Sequence, residues 1–336
     1  MSDDFSLHQH SAHCESGVMS ILMRHAGVNI SEPMAFGLSS ALNFAYLPFV
    51  RVNGQPLIAY RMPPKFIIKK LCKRLGAKLV VEKFSNPTIG QRALDNHLNE
   101  GRLVGLQTSV YWLPYFPDEM RFHFNAHNLL VYGKEQGNYL ISDPVIEQPV
   151  TCDEFSLQKA RFAKGTLAPK GTLYYISEVP KITDFKPHII AAIKDTTRII
   201  DALPIPIAGI RGIRFMAKKI AKLSTSKEKH HNNSLFLGHI IRMQEEIGTG
   251  GAGFRFIYAS FLQEAAELLQ SDSLMKISDQ MTDAGDIWRV FAMNTVKYCK
   301  GRGSVQLSEL ANNLLECADA EQNVINNLKQ FIKKTS

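Results

Sequence analysis

Two short apolar runs around a five-residue turn limit the fold more than any other feature of this chain. Residues 128–133 and 139–142 are rich in β-prone side chains, and Lys134-Glu135-Gln136-Gly137-Asn138 joins them. Runs of this kind around a glycine-containing turn predict a β-hairpin. We therefore expect an antiparallel pair of strands near the middle of the chain.

The pairing of this hairpin brings two polar residues together. If Lys134 pairs with Asn138, paired residue numbers sum to 272, and Asp143 lies opposite Leu129. His127 shares the face of the strand on which Leu129 lies. Asp143 then becomes a diagonal neighbour of His127, within roughly 7 Å. A carboxylate at that position can hold an imidazole in one tautomer.

Cys14 lies more than a hundred residues earlier, directly before a stretch with helical periodicity. Val18, Ile21, Leu22 and His25 have the helical spacing i, i+3, i+4 and i+7, and Gly27 marks the end of the helix. Cys14 is therefore predicted at or just inside the first turn. There the helix N-terminus and a neighbouring imidazolium would both stabilise a thiolate.

Together, Cys14, His127 and Asp143 predict a thiol acyl-transfer centre with a nucleophile, a base and an orienting carboxylate. Each residue alone has a plainer interpretation, because an isolated buried cysteine or histidine is usually structural. The joint spacing favours the catalytic interpretation. The competing base is His123.

The bulk composition is that of an ordinary globular protein. The chain has 336 residues, of which 45% are hydrophobic. Its first residues have neither a basic nor an apolar segment of the kind that targets secretion, so we expect a cytoplasmic protein. The five cysteines have no Cys-x-x-Cys spacing, and His8, His10, His13 and Cys14 have no distant ligand pair. We therefore expect neither a disulfide framework nor a bound metal.

The net charge is +8, and much of it is local. Residues 205–230 contain seven basic residues against the single Glu228, so 7 − 1 = +6. The basic residues are Arg211, Arg214, Lys218, Lys219, Lys222, Lys227 and Lys229. Such a patch attracts an acidic partner. Nucleic acid is not expected, because no aromatic stacking platform accompanies the patch. An acidic carrier protein or an anionic membrane surface fits better.

The pattern of elements changes near residue 180. Before it, helices and strands alternate, which predicts an α+β domain over residues 1–178. After it, residues 179–336 are almost entirely helical in pattern, with a basic amphipathic helix over 207–223 and a polar, mobile connection over 225–233. We predict two domains with these boundaries.

An aromatic segment, residues 111–117, contains two prolines that exclude a long helix or central strand. It is predicted as a loop. Its aromatics either pack on their own domain or form an apolar wall beside the thiol, with Trp112 and Tyr115 as substrate-binding residues.

A glycine-rich stretch, residues 248–254, leads into a helix in the second half. It is either a tight turn between helices or an anion site, in which Gly250, Gly251 and Arg255 bind a phosphate or carboxylate. The spacing is not that of a nucleotide-binding loop.

Three stretches resemble the butirosin biosynthesis protein H family: His13-Cys14-Glu15-Ser16, residues 31–38, and residues 127–143. The helical half resembles the uncharacterised domain that often accompanies this family. The resemblance implies a papain-like N-terminal domain that transfers an aminoacyl group from a carrier-protein thioester to an amine.

The hairpin is also similar to that of the bacteriocin leader peptidases, which use a Cys-His-Asp triad. Those enzymes, like papain, place an oxyanion-hole glutamine six residues before the nucleophile. Here Gln9 lies five residues before Cys14. The backbone N–H of Cys14 is therefore the alternative oxyanion donor.

These observations predict an acyltransferase whose donor is carried on the phosphopantetheine of an acidic acyl carrier protein, with no bound cofactor. Carrier docking is expected on Arg211, Arg214, Lys218, Lys219 and Lys222, and the acceptor would be a small amine or alcohol. A cysteine peptidase or amidase with the same triad is the main alternative. A non-enzymatic carrier or membrane-binding protein on the same scaffold is the third. The oligomeric state does not follow from the sequence.

Overall fold

The computed structural model describes residues 5–52, 54–202 and 206–335, and these divide into two compact units. The first comprises the chain up to Ala35 together with Ile67–Thr183. The second comprises Phe36–Phe66 and the chain from Asp184 onward. The first unit mixes helices with an antiparallel sheet and the second is mostly helical. The predicted fold class is thereby confirmed.

One segment, Phe36–Phe66, lies in a different unit from the one predicted. It forms strands β1 (Leu42–Val52) and β2 (Gln55–Arg61), which pair with each other. The predicted division assigned it to residues 1–178, but its side chains pack with the helical unit, where Phe44 and Tyr60 contact Trp288. Burial of these rings is the reason for the difference, and their partner is remote in sequence.

The first unit contains five α-helices and six further strands within the described residues. The helices are α1 (Cys14–His25), α2 (Glu32–Leu38, which extends into the second unit), α3 (Phe66–Leu75), α4 (Pro87–Asn99) and α5 (Glu154–Arg161). The strands are β3 (Lys78–Glu82), β4 (Val104–Thr108), β5 (His127–Glu135), β6 (Asn138–Ser142), β7 (Val150–Asp153) and β8 (Leu173–Glu178). They form one antiparallel sheet in the order β3-β8-β4-β5-β6-β7.

The two faces of this sheet are covered by different helices. On one face, Leu106, Leu129 and Leu173 pack with residues of α4 and α5 in a single apolar core. Tyr174 points to the opposite face, because neighbouring strand residues alternate. Its hydroxyl group reaches Asn128, and α1 packs there against β5 and β8. This arrangement brings the first turn of α1 to the start of β5.

The predicted hairpin exists, but its register changes along its length. Next to the turn, Asn138 pairs with Glu135 and not with Lys134, so the register differs from the prediction by one residue. A bulge at Tyr132 absorbs that residue, so Val131 pairs with Ile141, and the numbers again sum to 272. The predicted pairing is therefore wrong beside the turn and correct beside His127 and Asp143.

The second unit contains six further α-helices within the described residues. They are α6 (Lys186–Thr197), α7 (Gly209–Ala221), α8 (Lys227–Ile241), α9 (Arg255–Leu269), α10 (Asp272–Cys299) and α11 (Leu307–Thr335). The polar segment predicted as a mobile connection forms the first half of α8 instead. The amide of Asn233 donates to the carbonyl of Ser224, and buried Leu237 and Ile240 anchor the later turns. None of the described helices has an uncharged apolar stretch long enough to cross a bilayer.

Candidate active site

Cys14 is the first residue of α1, and the backbone that leads to it is held by a buried carboxylate. The N–H groups of Ala12 and His13 donate to Glu32, at 2.9 and 2.7 Å. The Ser16 hydroxyl donates to the same carboxylate at 3.1 Å. Burial raises the pKa of Glu32, while these hydrogen bonds oppose the shift. The loop before the thiol is therefore rigid.

The helix itself begins with a histidine cap. His13 Nδ1 accepts the N–H of Ser16 at 3.3 Å, so one of the free donors of the first turn is satisfied. The Cys14 thiol is only 7% exposed and lies at the positive end of the helix dipole. A thiolate at this position gains that stabilisation.

His127 and Asp143 form a buried pair at the ends of β5 and β6. His127 Nε2 lies 2.7 Å from Asp143 Oδ2, and neither side chain is more than 5% exposed. The Tyr115 hydroxyl donates to the same oxygen at 2.8 Å, and the Val145 N–H donates to the other oxygen at 3.3 Å. The Phe116 ring stands edge-on to the imidazole, with ring centroids 5.6 Å apart. The carboxylate is thus fixed from three sides.

The proton affinity of His127 follows from these contacts. Burial lowers its pKa, but the Asp143 carboxylate and the Cys14 thiol together raise it to about 10. Because Nε2 is engaged by Asp143, Nδ1 is the nitrogen that can exchange a proton with the thiol. The site can therefore hold an imidazolium beside the Cys14 sulfur.

A buried amide approaches the sulfur from another side. Asn128 Nδ2 lies 4.0 Å from Cys14 Sγ and donates to the carbonyl of Ala126 at 3.2 Å. Its Oδ1 accepts the Tyr174 hydroxyl at 3.0 Å, which leaves the NH₂ group facing the sulfur. Sequence reasoning missed Asn128 and Tyr174. The position of Asn128 directly after the base was the one available signal.

Close packing holds α1 against the end of the hairpin. The N–H of Ser11 donates to the carbonyl of Pro144 at 2.6 Å. A Cβ atom on Gly17 would lie 2.5 Å from the Pro144 Cβ, so only glycine allows this approach. His8 Nδ1 lies 2.8 Å from the Ser142 hydroxyl. These contacts bring the thiol to the His-Asp pair.

The other predicted residues of this unit differ in their contacts with the His127–Asp143 pair. His123 is exposed and stacks on Tyr111, with ring centroids 4.0 Å apart, so His127 and not His123 is the imidazole that contacts Asp143. Gln9 is exposed, and its carbonyl accepts the Ser11 hydroxyl. The Trp112 ring contacts Tyr111 and the ammonium group of Lys159. A substrate role for Trp112 stays a prediction, whereas Tyr115 has its hydroxyl committed to Asp143.

The glycine-rich loop has its own acceptors and is not an open anion cradle. The N–H of Gly251 donates to the Thr249 hydroxyl, and the N–H of Ala252 donates to the Glu245 carboxylate. Arg255 is fully buried, pairs with Glu321 at 2.8 Å and donates to the carbonyl of Gly253. The stretch predicted as an anion site at Gly250, Gly251 and Arg255 is therefore a packed turn, in which Thr249 accepts from Gly251 and Glu321 accepts from Arg255.

The predicted docking residues lie on one face of α7 and, in the case of Lys222, directly after its end. Arg211, Lys218, Lys219 and Lys222 are exposed, while Ile213, Met216 and Ile220 on the opposite face are buried. Arg214 is paired with Asp319 at 2.6 Å. The face is cationic and amphipathic as predicted, and its role as a docking surface stays a prediction.

A thiol at a helix N-terminus beside a His-Asp pair from an antiparallel sheet is the arrangement of papain-like thiol enzymes. Two family models match the chain. Residues 13–144, which include Cys14, His127 and Asp143, match the butirosin biosynthesis protein H N-terminal domain. Residues 155–328, just over half of the chain, match a domain of unknown function, DUF4872. The chain belongs to the family that combines these two domains, which confirms the predicted resemblance.

Among solved structures, one described as a C39-like peptidase from Bacillus anthracis is 15% identical to this chain. The match covers 53% of this chain and 96% of the other, with a TM-score of 0.36. No curated protein matches the chain significantly.

Proposed function

We propose that this thiol-type enzyme is an acyltransferase in which Cys14 holds the acyl group, His127 moves the proton and Asp143 orients the imidazole. The main observation in support is the 2.7 Å contact between His127 and Asp143, with the Cys14 thiol against the same imidazole. A nucleophile, a base and an orienting group in contact with one another are the parts that covalent acyl transfer requires.

The first half-reaction forms an acyl-enzyme. The Cys14 thiolate attacks the carbonyl carbon of the donor thioester, and the backbone N–H of Cys14 stabilises the oxyanion. The carbon–sulfur bond of the donor then breaks. The departing thiolate takes the proton of the His127 imidazolium and leaves as a thiol.

The second half-reaction returns the enzyme to its starting state. An acceptor amine or alcohol attacks the acyl group on Cys14, and His127 takes the proton that the acceptor loses. The bond between the acyl carbon and the Cys14 sulfur breaks. The products are an amide or ester and the original thiolate–imidazolium pair, so no oxidant, reductant or metal ion enters the balance.

The donor in this proposal is an acyl group on the phosphopantetheine of an acidic carrier protein. The exposed cations of α7 and its C-terminal cap, namely Arg211, Lys218, Lys219 and Lys222, support docking of such a partner through charge complementarity. Arg214 contributes less, since its charge is paired with Asp319.

The rival function is hydrolysis by a cysteine peptidase or amidase. The same triad would form the same acyl-enzyme, and water would replace the acceptor. The two functions therefore differ in the second half-reaction alone, and an experiment has to measure where the acyl group goes.

The test follows the acyl group by intact mass. The protein is incubated with acylated carrier and separately with a small acyl thioester, and an adduct on Cys14 is expected with both. Cys14→Ala should remove the adduct. Cys299→Ala is the matched control, because burial raises the pKa of that half-buried thiol and makes it a poor nucleophile.

The fate of the adduct separates the alternatives. Added amine acceptors are expected to remove the acyl group as amides faster than water removes it as acid. Release only as acid would favour the hydrolase. Absence of an adduct with every donor tested would refute the thiol mechanism.

A further inference from the structure

A basic groove lies in the first unit, away from the triad itself. It encloses about 590 Å³ and is lined by two loops, one after β3 and one between α5 and β8. The lining residues are Lys83, Phe84, Ser85, Phe162, Ala163, Lys164, Gly165, Ala168 and Lys170. We call this the lysine groove.

The charges of the lysine groove have no internal partner. Lys83, Lys164 and Lys170 are exposed, and the lining contains no acidic side chain. Across the described ranges, no carboxylate lies within ion-pair distance of these three ammonium groups, whereas Lys78 and Lys134 each pair with one. Three like charges around one concavity create a positive potential that favours an anion.

The wall of the groove is held in place by close packing. A Cβ atom on Gly171 would lie 2.6 Å from the Phe162 ring and 2.9 Å from the Phe84 carbonyl oxygen. The N–H of Phe84 donates to the carbonyl of Lys170 at 3.2 Å, which joins the two loops. The groove is thus formed before any ligand arrives, and its half-buried rings add an apolar surface between the lysines.

The groove and the His-Asp pair lie at the same end of the strands of the sheet. Antiparallel pairing places Glu82 opposite Leu173 and Thr108 opposite His127, so the end of β3 and the start of β5 lie on the same side. The amide of Asn125, two residues before His127, donates to the carbonyls of Lys164 and Thr166 at 3.2 and 2.9 Å. Three inter-strand steps separate β3 from β5, or about 14 Å at the usual spacing.

We infer that the lysine groove binds the phosphate of the phosphopantetheine arm that delivers the acyl group to Cys14. The arm has about thirteen bonds between phosphorus and sulfur and spans roughly 15 Å when extended, at the per-bond advance of an extended chain. That length is comparable with the spacing between β3, whose end borders the groove, and β5, which begins at His127. A phosphodiester supplies the anion that the three lysines lack, and its apolar pantoyl methyl groups can contact Phe84 or Phe162.

This inference rests on the proposed acyl transfer, and two small donors separate the two claims. Acyl-phosphopantetheine and acyl-pantetheine have the same thioester and differ in the phosphate alone. The rate of Cys14 acylation is measured by intact mass at several concentrations of each donor. The wild-type protein is expected to prefer the phosphorylated donor by roughly tenfold at low ionic strength.

The decisive variant is Lys83→Glu with Lys164→Glu and Lys170→Glu. It should lose the preference for the phosphorylated donor and keep the rate with acyl-pantetheine. The matched control is Lys276→Glu with Lys297→Glu and Lys300→Glu, which changes the same number of exposed lysines in the second unit and should keep the preference.

The outcomes are distinguishable. Equal rates for the two donors in the wild type, or an unchanged preference in the groove variant, would overturn the inference while leaving the proposed function intact. No acylation by either donor would contradict the proposed function itself. Loss of preference in the control variant would show a non-specific charge effect and would also overturn the inference.

Discussion

His127 Nε2 and Asp143 Oδ2 are 2.7 Å apart, at the start of β5 and directly after the end of β6. The register of this hairpin shifts by one residue between the turn and the two side chains. The bulge at Tyr132 restores the pairing that puts both residues at the same end. Without this bulge, Asp143 would be displaced by one residue along β5. The relation between base and orienting group thus depends on one irregular position.

The pH dependence of acylation should show the effect of Asp143 on the pKa of His127. Proton donation to the leaving thiolate needs protonated His127. Burial lowers the pKa of His127, but Asp143 and Cys14 raise it to about 10. The rate is therefore expected to hold through neutral pH and to fall as pH rises through about 10. In Asp143→Asn the same loss should occur at lower pH, together with a rate decrease of roughly a hundredfold or more. An unchanged alkaline limb in the variant would exclude this role for Asp143.

Tyr115 is expected to act through Asp143. Tyr115→Phe removes the 2.8 Å hydrogen bond to Oδ2 and should slow acylation about tenfold or more, as for the loss of one hydrogen bond to a charged group. The alkaline limb should shift as well, since the carboxylate loses a donor. Tyr111→Phe is the control, because Tyr111 stacks on His123 at a more exposed position. Equal effects of both substitutions would argue for a purely structural role.

Asn128 should stabilise the Cys14 thiolate. Asn128→Ala removes the amide that faces the sulfur, and alkylation by iodoacetamide at pH 7 is expected to slow about fivefold or more. Tyr174→Phe should produce a smaller decrease, because it only releases the Asn128 amide from its fixed orientation. Rates are compared with thermal stability measured for each variant. An unchanged alkylation rate in a folded Asn128→Ala protein would show that Asn128 does not stabilise the Cys14 thiolate.

Gly17 should be intolerant of a side chain. Gly17→Ala places a Cβ atom against Pro144 and is expected to destabilise the protein by about 1–3 kcal/mol and to reduce acylation, because α1 must move away from the hairpin. Gly238→Ala is the matched control within α8, where an added Cβ meets nothing within 4 Å. That change should stabilise the helix by roughly 0.5–1 kcal/mol. Denaturant unfolding measures both, and equal stability of the two variants would contradict the packing argument.

The sequence by itself determined the local elements and the three residues that we propose as the triad. Helical spacing after Cys14 and apolar alternation around the turn depend on neighbours along the chain, so periodicity was sufficient to predict α1, β5 and β6. His127 and Asp143 flank one hairpin, and their proximity follows from strand geometry without any knowledge of the remaining fold.

Tertiary structure alone decided the contacts between distant segments. The approach of Asn128 to Cys14, the placement of Phe36–Phe66 in the helical unit, and the burial of Arg255 against Glu321 each join residues far apart in sequence. Such contacts depend on which surfaces exclude water together, and periodicity does not encode that choice. For the same reason the glycine-rich loop resembled an anion site, although Glu245 and Thr249 already accept hydrogen bonds from its backbone.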